Sequence, residues 1–140
     1  MMDTNLRGPF LCTQAVGPYM IEQRRGKIIN ISSLASARGL AYHSLYGITK
    51  AGIGMFTRVM AVEWARYKIN VNAIGSGYIH TAMSHRAHTD PKLSEQMMRD
   101  VPLRRAGQPR EVGLLAVYLA SAASDYMTGQ TVYLDGGFTA

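Results

Sequence analysis

Tyr46 and Lys50 stand four residues apart in the stretch SLYGITKAG, residues 44–52. In a helix that spacing puts both side chains on one face, where they can meet the same ligand. A phenol ordinarily titrates near 10, too high for ready proton exchange at neutral pH. An ammonium about 4–6 Å away favours the phenolate, and so does the partial positive charge of a helix N-terminus. Such a pair is a usable general acid/base. Ser33 lies thirteen residues before Tyr46, at the end of an apolar run. Its hydroxyl could donate to a carbonyl oxygen as negative charge develops there. A plainer reading stands beside this one. Ser32 and Ser33 could begin a turn, and Tyr46 could fill a helix interface with its hydroxyl satisfied locally.

The elements that must position these groups follow from the pattern of apolar residues. Residues 4–23 predict an amphipathic helix with Leu6, Phe10, Ala15 and Met20 among its apolar positions, made uneven by Pro9 and Pro18 and ended by Gly26. KIINIS is a short β-branched run, the mark of a buried parallel strand. A long helix is expected over 44–67, opened by Ser44 as a cap. A second strand spans Ile69 to Ile74 and is closed by two glycines. Residues 80–105 are irregular and polar, with a short helix beginning at Pro91. QPREVGLLAVYLASAAS predicts another helix with Pro109 in its first turn, and QTVYLDGG a third strand. This alternation describes right-handed crossover units of a parallel sheet. The strand ends carrying SSL and GSGYIHT should then share the rim where open α/β sheets bind ligands.

Composition narrows the function classes. The 140 residues fit one domain, 1–140, and 47% hydrophobic with 17% charged residues describes a compact soluble chain with no membrane partner. Cys12 is the single cysteine, so no internal disulfide is possible and a reducing, cytoplasmic setting is favoured. Net charge is +6, but the basic residues are dispersed and form no arm or aromatic-laced stripe, so no nucleic acid is expected. His80, His85 and His88 lack a carboxylate at ligand spacing, which argues for a solvated loop and no metal.

Four motifs then occur in one order: NISS, YGITKAG, VNAIGSGYIHT and YMTGQTVYLDGG. In this the chain resembles the short-chain dehydrogenase/reductase family over essentially its whole length. The resemblance implies an α/β fold, a partial Rossmann-like, doubly wound parallel sheet comprising the last three strands and their flanking helices. It implies a catalytic tetrad of Asn5, Ser33, Tyr46 and Lys50. Tyr46 would give a proton to a carbonyl oxygen that Ser33 holds, in step with hydride delivery to the carbon. Lys50 would favour the phenolate and grip the nicotinamide ribose, while Asn5 would support a water relay to Lys50. The implied cofactor contacts are Tyr46, Lys50, Gly77, Ile79 and Thr81. Where the family usually has Pro-Gly, this chain has Ser76-Gly77, which removes the rigidity of a proline.

The family's TGxxxGxG loop, whose glycines let the backbone approach a pyrophosphate, has no counterpart here. None of the fourteen glycines falls at that spacing, and the Asn-Asn-Ala-Gly segment is absent too. The chain therefore resembles a C-terminal half whose N-terminal cofactor-binding half is missing. The expectations are weak binding of NAD or NADP, a small-molecule carbonyl/alcohol substrate, and a variable lid at 80–105. The motifs look most like 3-oxoacyl-carrier-protein reductases and sugar or polyol dehydrogenases. A homo-oligomer through helices 4–23 and 44–67 is also expected. The alternative is a non-catalytic oligomerisation module derived from the family.

Overall fold

Isoleucines at 28, 29 and 31 commit the first strand, β1 (Gly26–Ser33), to an extended chain, with Ile28 and Ile29 partly buried and Ile31 exposed. A computed structural model describes residues 1–82, 84 and 89–140. Before β1, a π-helical turn over Asp3–Arg7 leads into α1 (Gly8–Glu22). After it, a 3₁₀ turn at Leu34–Ser36 precedes α2 (Ser44–Trp64), and a further 3₁₀ turn at Ala65–Tyr67 leads to β2 (Ile69–Ser76). Then come α3 (Pro91–Arg99), α4 (Pro109–Ala120) and β3 (Thr131–Leu134). The strands form one parallel sheet in the order β1-β2-β3. Gly26 stands opposite Ile69 and Ser33 opposite Ser76, so the two longer strands start and finish level.

The middle strand carries the core, with Val71, Ala73 and Ile74 fully buried. Ile53, Thr57 and Ala61 of α2 are buried as well. Two buried polar side chains satisfy each other at the centre of the core: Asn30 Nδ2 donates to Thr57 Oγ1 at 2.9 Å, and Thr57 Oγ1 to the Ile53 carbonyl at 2.8 Å. Asn72 ties β2 to the approach of β3, donating to the Met127 carbonyl at 2.8 Å and accepting from the Gln130 amide at 3.0 Å. The outer edge of β1 has no partner strand among the described residues, and Ile31 on it is 53% exposed. No helix among the described residues is long and apolar enough to cross a membrane.

Three boundaries differ from the sequence expectation. Gly26 does not end α1 but begins β1; the left-handed turn falls on Arg24, with φ of 51°. Ser44 is not the cap of α2 but its first residue, since His43 holds the cap position and no side chain caps there. The second strand does not stop at Ile74. Gly75 continues it, paired with Ser32 on one side and Tyr133 on the other, and the Tyr133 ring lies where a Cβ would stand. The expected lid is described only in part: His85 and His88 lie outside the described residues, whereas α3 is capped by Asp90, whose Oδ1 accepts from the Lys92 and Leu93 amides.

Candidate active site

The C-terminal end of β1, with Ser33, is tied to the first two turns of α2, which carry Tyr46 and Lys50, whereas Gly77, Ile79 and Thr81 lie on the loop after β2. Tyr46 lies in the first turn of α2 and Lys50 one turn on. The Lys50 ammonium stands 5.7 Å from the Tyr46 ring centroid and donates at 2.9 Å to the Ile31 carbonyl. Ser32 Oγ donates in return to the Lys50 carbonyl at 3.0 Å. These two bonds pin the Tyr46–Lys50 face to β1 immediately before Ser33. An ammonium carries three donors, so two remain for a ligand. Burial pushes the Lys50 ammonium below its ordinary value.

Ser33 is 6% exposed and ends β1 as the cap of the Leu34–Ser36 turn. Its Oγ accepts from the Ala35 amide at 3.2 Å. The hydroxyl proton itself has no acceptor among the described residues, which leaves it available to a ligand oxygen. Tyr46 packs beside the cluster of Leu34, Ala35, Val101 and Phe138, with the His43 ring edge-on at 6.3 Å. No hydrogen bond among the described residues joins Ser33 to Tyr46, and none engages the Tyr46 hydroxyl.

Asn5 reaches the site by a route the sequence did not suggest. The π-helical turn carries it, and Asn5 Nδ2 donates to Thr49 Oγ1 at 3.1 Å. Thr49 Oγ1 donates onward to the Tyr46 carbonyl at 2.8 Å. Thr49 is fully buried, so this hydroxyl links Asn5 to the turn holding Tyr46. Asn5 makes no hydrogen bond to Lys50 among the described residues. Thr49 was legible in principle, since a threonine three residues after Tyr46 can bond back to its carbonyl. Its long-range partner, 44 residues away, was not.

The loop after β2 is held from two sides. The Gly77 amide donates to the Leu134 carbonyl at 3.0 Å, and a Cβ at Gly77 would stand 2.5 Å from the Asp135 Cα. Close packing against the end of β3 therefore requires a glycine there, whatever precedes it. Ile79 bridges to Gly107. Ser84 then gathers the polar groups of the loop: its Oγ donates to the Ile79 carbonyl at 2.7 Å and accepts from the Thr81 amide at 2.9 Å. Sequence reasoning missed Ser84 as it missed Thr49. Beside this loop, burial and the Asp100 carboxylate push the Tyr78 phenol up, against a smaller opposing effect of Arg38.

In chemical terms the rim offers a phenol, an ammonium with two free donors and a hydroxyl with a free proton. Those are the parts of an acid/base site for an oxygen-centred reaction. Comparison with known proteins bears on which reaction. Residues 1–139 match the family described as Enoyl-(Acyl carrier protein) reductase. An NAD-dependent glycerol dehydrogenase of Listeria innocua is 41% identical over 138 residues, covering 99% of this chain and 54% of the relative. A 3-oxoacyl-[acyl-carrier-protein] reductase of Staphylococcus epidermidis is 39% identical, with 98% of this chain and 55% of the relative covered. The crystal structure of a gluconate 5-dehydrogenase from Burkholderia cenocepacia in complex with NADP and tartrate superposes with a TM-score of 0.95 at 40% identity. It covers 99% of this chain and 55% of that one. The chain thus spans about half the length of the curated relatives it matches.

Proposed function

The chain belongs to the short-chain dehydrogenase/reductase family, and on that premise we propose an NAD(P)-dependent oxidoreductase site interconverting a small carbonyl compound and its alcohol. The observation that carries the proposal is the 2.9 Å bond from Lys50 Nζ to the Ile31 carbonyl. It holds the Tyr46–Lys50 face against the strand end that presents the unengaged Ser33 proton. Tyr46 donates its hydroxyl proton to the carbonyl oxygen in reduction and recovers it in oxidation. Ser33 donates a hydrogen bond to the same oxygen as charge grows on it. Lys50 supplies a fixed positive charge beside Tyr46. Asn5 acts through Thr49 as a positioning residue, holding the first turn of α2 in register with α1.

The donor set fits the nicotinamide-ribose end of a cofactor. Lys50 and Tyr46 would hold the ribose, and Ile79 and Thr81 would hold the carboxamide, on a loop whose Thr81 amide is engaged by Ser84 Oγ in this structure. When bound, that group supplies or accepts the hydride at the substrate carbon. No residue of this chain fits the pyrophosphate end, because no glycine loop of the required spacing exists in it. The 140-residue chain is therefore a weak binder of NAD(H) or NADP(H), with a dissociation constant above a few micromolar (order of magnitude). Polyol, sugar-acid and 3-oxoacyl compounds are the substrate classes to try first, from the activities of the relatives. Spectrophotometric turnover with such a panel, under NADH and NADPH, tests the assignment. Activity that drops on Ser33→Ala supports it, and activity indifferent to Ser33→Ala removes Ser33 from the site.

The same reading includes a homo-oligomer. Phe10 on α1 and Met55 and Val59 on α2 are each more than 40% exposed, and Phe10 and Phe56 meet with ring centroids 6.1 Å apart. A stable interface buries about 1,600 Å², which two such helix pairs can supply.

A further inference from the structure

At the opposite end of the sheet from Ser33, the starts of β1 and β2 open into a polar cleft of about 920 Å³. Seven residue steps along β1, at about 3.3 Å each, separate it from the catalytic rim by roughly 23 Å. Arg24, Arg25, Lys27 and Lys68 line the cleft, with Asp125 as its single lining carboxylate. The pairing of Gly26 with Ile69 brings the two basic turns, 24–25 and 68, side by side.

Cations commonly gather where helices end, since the C-terminal carbonyls attract them. Two of the four are explained that way or by a partner. Arg24 Nη2 donates to the Arg66 carbonyl at 2.9 Å, and Lys27 Nζ pairs with Asp125 at 2.8 Å and with Ser124 Oγ at 2.9 Å. Arg25 and Lys68 are not: their side chains make no hydrogen bond or ion pair among the described residues. Lys68 is also placed at a conformational disadvantage, with φ of 59° at a helix-terminating position where glycine is favoured. Arg24, at φ of 51°, repeats that choice across the cleft. A chain with fourteen glycines thus sets cations at both left-handed turns that border this cleft. The volume lies within the range of small-molecule sites, and like charges left facing one opening call for an anion between them.

We propose that this cleft binds a small molecule bearing two or more phosphate groups, held by Arg25 and Lys68 with the remaining guanidinium donors of Arg24. The site is independent of the dehydrogenase chemistry and needs no nicotinamide cofactor. Calorimetric titration of the 140-residue protein with inorganic tripolyphosphate, at about 50 mM salt, tests it. One-to-one binding with a dissociation constant below about 100 μM is expected, weakened at least about tenfold in the Arg25→Gln/Lys68→Gly double variant. Lys68→Gly relieves the left-handed turn, so unfolding does not confound the result, and circular dichroism verifies the fold. Equal affinity in wild type and double variant overturns the proposal. So does the absence of tripolyphosphate binding, including the case where duplex DNA binds instead with a steep salt dependence.

Discussion

Replacing Thr49 with valine keeps the shape of a fully buried side chain and deletes one oxygen. That oxygen accepts from Asn5 Nδ2 at 3.1 Å and donates to the Tyr46 carbonyl at 2.8 Å. A net contribution of about 1 kcal/mol is typical of each such bond, and the half-buried Asn5 amide is left without a protein partner. The added methyl of valine offsets part of the loss. The balance is a destabilisation of about 1–2 kcal/mol, or roughly 3–6 °C in melting temperature for a chain of this size. Urea unfolding followed by circular dichroism reads it as a lower midpoint at unchanged slope. Thr49→Ser, which keeps the oxygen, should recover most of the difference. A valine variant as stable as wild type, or a serine variant as unstable as valine, would refute the linkage between Asn5 and the Tyr46 turn.

Other outcomes follow from the same geometry. Glu111 accepts from Arg105 and from the Gln108 amide, and these hold its carboxyl down at about 2. A depressed carboxyl stabilises above its ordinary value near 4.5 and loses that effect as pH falls toward 2, so Glu111→Gln should flatten the acid side of the stability profile in that window. Burial lowers Lys50, so its ε-methylene carbon resonance, assigned by its loss in Lys50→Met, should titrate below 10.5. A midpoint at or above 10.5 contradicts the burial. Light scattering should show an oligomer, and a clean monomer across micromolar concentrations removes the proposed helix interface.

The alternation of helices and strands was readable because periodicity and β-branched runs are local signals. KIINIS and the YGITKAG helix appear where they were expected, and the parallel pairing of KIINIS with the strand that follows that helix agrees with the crossover rule. The turns were less readable. A left-handed Arg24 and an uncapped His43 break the preferences for glycine and serine that placed Gly26 and Ser44 at the element ends. The spacing of Tyr46 and Lys50 was a weak signal by itself and gained weight only from the motifs around it. The bond of Thr49 to Asn5 and the role of Ser84 could not be assigned, since one joins distant segments only through the fold and the other lies in a loop without periodicity. The π-helical turn bearing Asn5 has no sequence period by which to find it.

The most direct test is the rate of NAD(P)H-dependent carbonyl reduction by a chain containing these residues, with tyrosine or phenylalanine at position 46. Removing a general acid that transfers a proton in the transition state costs about 10²–10⁴-fold. Tyr46→Phe should show that loss in kcat with the fold intact, because a single hydroxyl with no hydrogen bond among the described residues is removed. Turnover unchanged in Tyr46→Phe would contradict the assignment of Tyr46 as the proton donor.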